Sequence, residues 1–404
     1  MNIESNRNFV TTWRTDKTRR KGSSDKNQIS LPLVKDGEYS FAVEWGDGNL
    51  DEINAWDDPN VVHTYEKAGL YKVQISGKIT DWSFSESADS YKIIEVSNWG
   101  PLAFGNTSKQ FFRCINLSVT AMDVPDLSKT TSLRGAFSGC KEIQDISNLN
   151  NWNTSNITDM REMFEGARMF NSDISGWDTS NVTNMSGMFS GADSFDQNIS
   201  SWCISKVEDM MTMFMYSKSF NQDIGKWDTS SVTNMDMMFE QARIFNQDIS
   251  MWDVSKVDTM REMFRDAPLF NADISKWNIT SLRDMSAMFS GATSFNQKIS
   301  NWDVSEVLQA SEMFSDATAF DQDLSTWNVQ KFEGMYNMFN NSGLSTKNYD
   351  LMLISWANQT PFKDRVFNME LDAGKTKFSP GVAAEARKRL ISEYGWTISD
   401  GGSV

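Results

Sequence analysis

The sequence predicts an α/β repeat solenoid carrying an N-terminal β-sandwich and a small helical C-terminal cap. Three observations lead there: a tryptophan that returns every 25 residues, apolar columns that keep the same register, and two flanking segments without the repeat. Trp152, Trp177, Trp202, Trp227, Trp252, Trp277, Trp302 and Trp327 hold the interval without a slip. A period between 20 and 50 residues is the signature of stacked repeats, each of which completes its core only against its neighbours.

The segment before the repeat, residues 1–95, contains short β-type runs at Phe9 to Thr15, Ile29 to Val34, Tyr39 to Trp45 and Tyr71 to Ile75, with turn residues between them. Several strands in so short a stretch indicate a small sandwich. Residues 96–342 carry the rungs. Met163-Phe164 returns seven more times, ending at Met338-Phe339, and Phe170, Phe195, Phe220, Phe245, Phe270, Phe295 and Phe320 form a further column. Ile174, Ile199, Ile224, Ile249, Ile274, Ile299 and Leu324 form another. Within one rung, Val182, Met185, Met188-Phe189 and Ala192 fall at helical spacing, with Ser180 and Thr183 placed as N-caps. Ile199, apolar between polar neighbours, reads as a short extended segment. One helical turn and one short strand per rung is the leucine-rich-repeat plan, with Met, Phe and Trp in the apolar slots.

Degenerate rungs precede the regular ones, at Leu133, Ala136, Phe137 and Cys140, and earlier at Phe111, Cys114 and Leu117. Residues 343–404 form the C-terminal cap. Leu351, Leu353, Ile354 and Trp356 suggest one amphipathic helix, and Val382 through Ser392 a second.

Composition excludes several functions. Asp plus Glu is 54 against 38 for Lys plus Arg, a net charge of −16, which argues against tracking nucleic-acid phosphates or binding an anionic membrane. The single histidine, His63, leaves no His pair for a metal and at most one candidate base. His63 with Asp47 lacks a matching Ser or Cys nucleophile, so a structural role beneath the turn at Trp45-Gly46-Asp47-Gly48 is expected. Asp47 and Asn49 are too few ligands for calcium. No apolar run of membrane-spanning length occurs, and the opening Met1-Asn2-Ile3-Glu4-Ser5-Asn6 lacks the apolar core of a secretory signal.

Two families are resembled. Trp45-Gly46-Asp47-Gly48 with His63-Thr64-Tyr65 and Gly69-Leu70-Tyr71 resembles the polycystic-kidney-disease (PKD) domain, an immunoglobulin-like sandwich. The rung Phe245-Asn246-Gln247-Asp248-Ile249-Ser250-Met251-Trp252-Asp253-Val254-Ser255 resembles the BspA-type leucine-rich-repeat surface proteins. The ending Gly395-Trp396-Thr397-Ile398-Ser399-Asp400-Gly401-Gly402 is similar to the closing segment of marine Bacteroidetes members. The resemblance implies a non-enzymatic adhesion or recognition protein, outside the cell or on a cell or particle surface. Relatives usually bear an export signal and often a C-terminal sorting domain, and neither is recognised in this chain. Either the sequence has been trimmed, or the protein leaves by another route, such as a virion or a contractile injection particle.

No catalytic residue and no cofactor are expected. Asp223, Asp248 and Asp273, in a column with Asp173 and Asp323, are candidate calcium ligands, but Asn198 and Lys298 interrupt the column, which favours hydrogen bonding within turns. The Asn171, Asn221, Asn246, Asn271 and Asn296 column is expected to satisfy stacked backbone groups. Trp177, Trp202, Trp227, Trp252, Trp277 and Trp302 read as core. Cys114 and Cys140 share the column of Ala167 and Ala192, where two buried thiols or a disulfide would fit.

Binding is expected where rungs differ. The residue before each Trp runs through Lys226, Met251, Lys276, Asn301 and Thr326, the preferred ligand column. The pair before each Met-Phe, such as Asp236-Met237 and Arg261-Glu262, varies as well. The expected partner is a surface glycan or protein on a cell or particle, with no nucleic acid and no membrane insertion. Self-association stays open. Alternative readings are a structural or receptor-binding component of a virion or injection particle, and a glycan-targeting module for an enzyme on another chain.

Overall fold

The computed structural model describes residues 8–18, 21–359 and 369–404, which places the opening Met1 to Asn6 outside it. The chain divides into two compact units, Met1–Cys203 and Ile204–Val404.

In the first unit, β1 (Phe9–Arg14), β3 (Leu33–Glu44), β4 (Leu50–Ile53), β6 (Leu70–Trp82), β7 (Ile93–Asn98), β8 (Leu102–Ala103) and β9 (Ser118–Val119) join one seven-stranded sheet. Its order is β4-β3-β6-β1-β7-β9, with β8 on β6. The pairs among β1, β3, β4, β6 and β7 are antiparallel, whereas β8 pairs β6 and β9 pairs β7 in parallel. A separate antiparallel pair, β2 (Gln28–Ser30) with β5 (Val62–Thr64), lies beside it in the chain. This corrects the expected sandwich over residues 1–95. Two strands of the sheet come from beyond residue 95, and strand alternation in a sequence does not reveal which sheet a strand will join.

The repeat also departs from expectation. The chain does not form an α/β leucine-rich-repeat solenoid. Among the described residues no α-helix precedes Thr346, and each regular rung is a run of tight turns touching the next rung of its unit through single parallel bridges. Asp159↔Asn184 is such a bridge in the first unit, and Asn234↔Thr259 and Thr259↔Asp284 in the second. Ser180 and Thr183 therefore cap no helix, and Ile199 opens a turn closed by the Trp202 N–H rather than lying in a strand.

Hydrogen bonding explains why helical spacing misleads. In the rung at 260, the N–H groups of Met260, Glu262, Phe264 and Asp266 donate to the carbonyls of Asp284, Ser286, Met288 and Ser290 on the next rung, at 2.7–2.9 Å. The alternate N–H groups of Met263, Arg265 and Ala267 close local turns onto Met260, Glu262 and Phe264. A helix would spend every N–H internally; here every second one is spent between rungs. Turns of three to four residues still place an apolar side chain inward at each step, so the stripe looks helical.

The chain reverses at two left-handed positions per rung. In the second unit the first is Thr212 (φ 55°), Met237 (φ 53°), Glu262 (φ 58°) and Ala287 (φ 53°), and the second includes Asp266 (φ 53°) and Gly291 (φ 70°). Only glycine takes this conformation without penalty, about 1–2 kcal/mol for other residues.

The core consists of ladders of rings. Phe239, Phe264, Phe289 and Phe314 follow one another at centroid spacings of 5.6–5.8 Å with planes within 8°. Each faces its rung partner, Phe239 on Phe245 at 4.0 Å and Phe264 on Phe270 at 3.7 Å. The second unit closes with α1 (Thr346–Asn358) and α2 (Val382–Ser392), the latter over the span the sequence implied. Between them in sequence, β10 (Glu370–Asp372) takes the next ladder position through Met335↔Leu371 and the Phe339 N–H on the Asp372 carbonyl, and β11 (Thr397–Ser399) pairs with β10 in parallel. No helix of the described residues is long and apolar enough to cross a membrane.

Two changes in stability follow. Thr212→Gly removes a β-branched residue from a left-handed position and should raise unfolding free energy by about 0.5–1 kcal/mol, after the added flexibility of the unfolded chain is subtracted. Phe264→Ala should lower it by about 3–5 kcal/mol, because the stacked neighbours cannot close the gap. Urea denaturation of the whole chain checks both signs.

Candidate functional ridge

Lys226, Met251, Lys276, Asn301 and Thr326 are all exposed and stand one rung apart in the second unit, forming a ridge. At roughly 4.8 Å per rung the five residues extend about 19 Å. Each immediately precedes a buried tryptophan. Trp227, Trp252 and Trp277 stack at 6.5 Å with planes within 5°, and the indole N–H groups of Trp252, Trp277, Trp302 and Trp327 donate to the carbonyls of Ile224, Ile249, Ile274 and Ile299 at 3.0–3.2 Å. The backbone beneath the ridge is thus fixed by both ring stacking and a buried hydrogen bond. In the first unit Trp177 and Trp202 repeat the arrangement on Leu149 and Ile174.

Met251 is the most exposed large apolar side chain of the ridge, at 79%. Asn301 Nδ2 donates to the Ser275 carbonyl at 2.6 Å, and the Thr326 hydroxyl to that of Ser300, so those side chains lie along the stack. The aspartates beside the ridge are occupied by their own turns. Asp223, Asp248, Asp273 and Asp323 accept from the N–H two residues on, at Gly225, Ser250, Ser275 and Ser325, at 2.9–3.1 Å. The hydrogen bonds from Ser250 and Ser275 hold the Asp248 and Asp273 carboxyls below the usual carboxylate range. Among the described residues no three His, Cys, Asp or Glu side chains converge to hold a metal ion. Asn221, Asn246, Asn271 and Asn296 accept from backbone N–H groups one rung on, at Asn246, Asn271, Asn296 and Asp321.

The other variable column lies on the hydrogen-bonded face. Asp236 accepts from the Thr259 hydroxyl and, at 2.8 Å, from the Arg261 N–H, and Glu262 pairs with Arg265 at 2.7 Å. Glu240 is only 8% exposed. Burial, with the Glu262 charge nearby, pushes its carboxyl above the ordinary range, against the pull of Arg265. Further along, Glu306 is shared by Lys331 and Arg283, whose hydrogen bonds pull its carboxyl down to about 2.

In the first unit, His63 Nε2 lies 2.8 Å from Asp47 Oδ2, its ring stacked on Trp45 at 4.6 Å and edge-on to Tyr65 at 4.5 Å. Burial raises the Asp47 carboxyl, yet the hydrogen bonds from His63 and Asn49 outweigh it and hold the carboxyl low. Cys114 and Cys140 are free and buried, and the Cys140 thiol donates to the Phe111 carbonyl at 3.0 Å. Burial pushes both thiols far up. A buried ion pair escaped the sequence reading. Lys92, fully buried, donates to the carbonyls of Ser24, Asp25 and Gln28 at 2.9–3.0 Å and lies 3.4 Å from Asp89, itself 1% exposed. The two charges are only three residues apart, but the carbonyls that enclose the ammonium lie more than 60 residues away, so the local spacing does not announce their burial.

Invariant buried columns, locked rungs and one variable exposed ridge define a turn-built repeat protein. The family model described as "Mycoplasma protein of unknown function, DUF285" matches residues 103–218, 131–252, 193–286 and 243–356, together more than half of the chain. The chain belongs to this repeat family. No curated protein matches it.

Glu240 and Glu306 give opposite pH signatures. Glu240, raised above its ordinary 4.5, costs stability once the pH passes that value and costs nothing below it. Glu240→Gln should therefore stabilise at pH 7, with the gain vanishing below pH 4.5. Glu306, depressed, contributes stability above 4.5 that disappears as the pH falls toward 2, so Glu306→Gln should destabilise at pH 7. Denaturation curves at both pH values separate them, and the Glu306 effect should shrink in salt because that carboxylate is exposed.

Proposed function

We propose that the protein is a non-catalytic adhesion or recognition protein, acting outside the cell or on a cell or particle surface. It binds a surface glycan or protein through the ridge Lys226, Met251, Lys276, Asn301 and Thr326. One observation carries this reading: the ridge changes chemistry at every rung while the tryptophans directly beneath it do not change at all. Repeat proteins place ligand contacts on such a rigid face with varied side chains. Rigidity lowers the ordering cost of association, and an exposed methionine between two lysines offers apolar contact flanked by positive charge on an otherwise acidic chain. The resemblance of the Phe245–Ser255 rung to BspA-type surface proteins supports the reading. So does that of Trp45–Gly48 with His63–Tyr65 to PKD domains.

Combined Lys226→Ala, Met251→Ala and Lys276→Ala should leave the melting temperature unchanged, since all three side chains are exposed. The same variant should reduce binding of the whole chain to a glycan array or to intact cells at least about tenfold, or 1.4 kcal/mol. Unchanged binding by the triple variant rejects the ridge, and no binding to either target by the whole chain rejects the adhesion reading.

A further inference from the structure

The first unit contains a cleft lined by residues that the ridge does not include. It encloses about 760 Å³ between the segments 22–36 and 83–89, with Trp56 and Val62 also in its lining, a size ordinary for small-ligand sites. Its floor is built around the buried ion pair. Asp89 Oδ1 accepts from the Ser24 N–H at 2.9 Å, and Oδ2 from the Ser24 hydroxyl at 2.6 Å and the Ser30 N–H at 2.9 Å. Lys92 holds the same loop through three carbonyls. A buried ion pair returns little net stability for the desolvation it requires. What this one does is staple two distant segments beneath a cleft and fix their geometry. The back wall is held too, by the Ser83 hydroxyl on the Ser108 carbonyl and by Tyr39 Oη, which accepts from the Val34 N–H and donates to the Asp81 carbonyl.

The lining has a definite chemistry. Trp56, in the lining, leaves 43% of its surface exposed. Ser30 and Ser85 line the cleft, together with the exposed Lys35 ammonium and the exposed carboxylates of Asp36 and Glu86. Hydroxyls and carboxylates accept hydrogen bonds from a polyhydroxylated ligand, while an indole stacks on the C–H face of a pyranose. The mixed charges of Lys35, Asp36 and Glu86 leave no single-sign field to favour a strongly charged ligand, and the hydroxyl lining disfavours a purely apolar one. We infer that this cleft is a binding site for a short neutral oligosaccharide, built from residues that the ridge does not include.

Isothermal titration of the whole chain with maltohexaose, cellohexaose, laminarihexaose, xylohexaose and chitohexaose tests the assignment, with heptalysine as a cationic competitor class. At least one saccharide should bind with a Kd below about 1 mM. Trp56→Ala should weaken that binding at least tenfold and Glu86→Gln more mildly, with melting temperatures unchanged, while the ridge triple variant binds as the parent does. The inference falls if none of the five binds, if binding survives Trp56→Ala, or if only heptalysine binds. Loss of the same binding in the ridge variant also overturns it, and would leave the ridge reading standing alone.

Discussion

In the rungs at 160, 210, 235, 260, 285 and 310, alternate backbone N–H groups around the Met-Phe positions leave the rung and donate to carbonyls of the next, while those between them close local turns. Everything else in the repeat depends on this division. It sets the spacing between rungs, brings identical side chains into register, and forces the chain through two left-handed residues where no glycine need be present. Thr212, Met237 and Glu262 hold positive φ because the neighbouring rung supplies the hydrogen bonds.

Register of that kind converts composition into packing. The Phe239 to Phe314 rings repeat at under 6 Å, and the indole N–H groups of Trp177, Trp202, Trp252, Trp277, Trp302 and Trp327 each find a carbonyl one rung back, whereas that of Trp152 at the head of the column is buried without a partner. Asparagine and aspartate columns at the surface do the same for turns that would otherwise present unpaired N–H groups. Chemical freedom is left to the side chains that no turn uses. They are concentrated on the ridge and on the charged patch around Glu240 and Arg261.

Much of this was legible in the residues. The period, the buried columns, the amide and aspartate columns, the exposed ridge and the span of α2 all follow from spacing and side-chain type. The conformation of the rung was not, because three-residue turns and a helix place apolar side chains almost alike. Gly166, Gly187, Gly191 and Gly291 were the available hint, and glutamate, threonine and methionine in the same columns obscured it.

The sequence by itself determined which side chains are buried and how often they return, since hydrophobic periodicity is local and survives any backbone that keeps the period. Tertiary structure alone decided three things: the turn-built rung, the entry of β8 and β9 into the N-terminal sheet, and the cleft over Asp89 and Lys92. Each rests on hydrogen bonds between residues from about 20 to more than 60 positions apart, and a pairing over such a distance leaves no mark in the spacing of either partner.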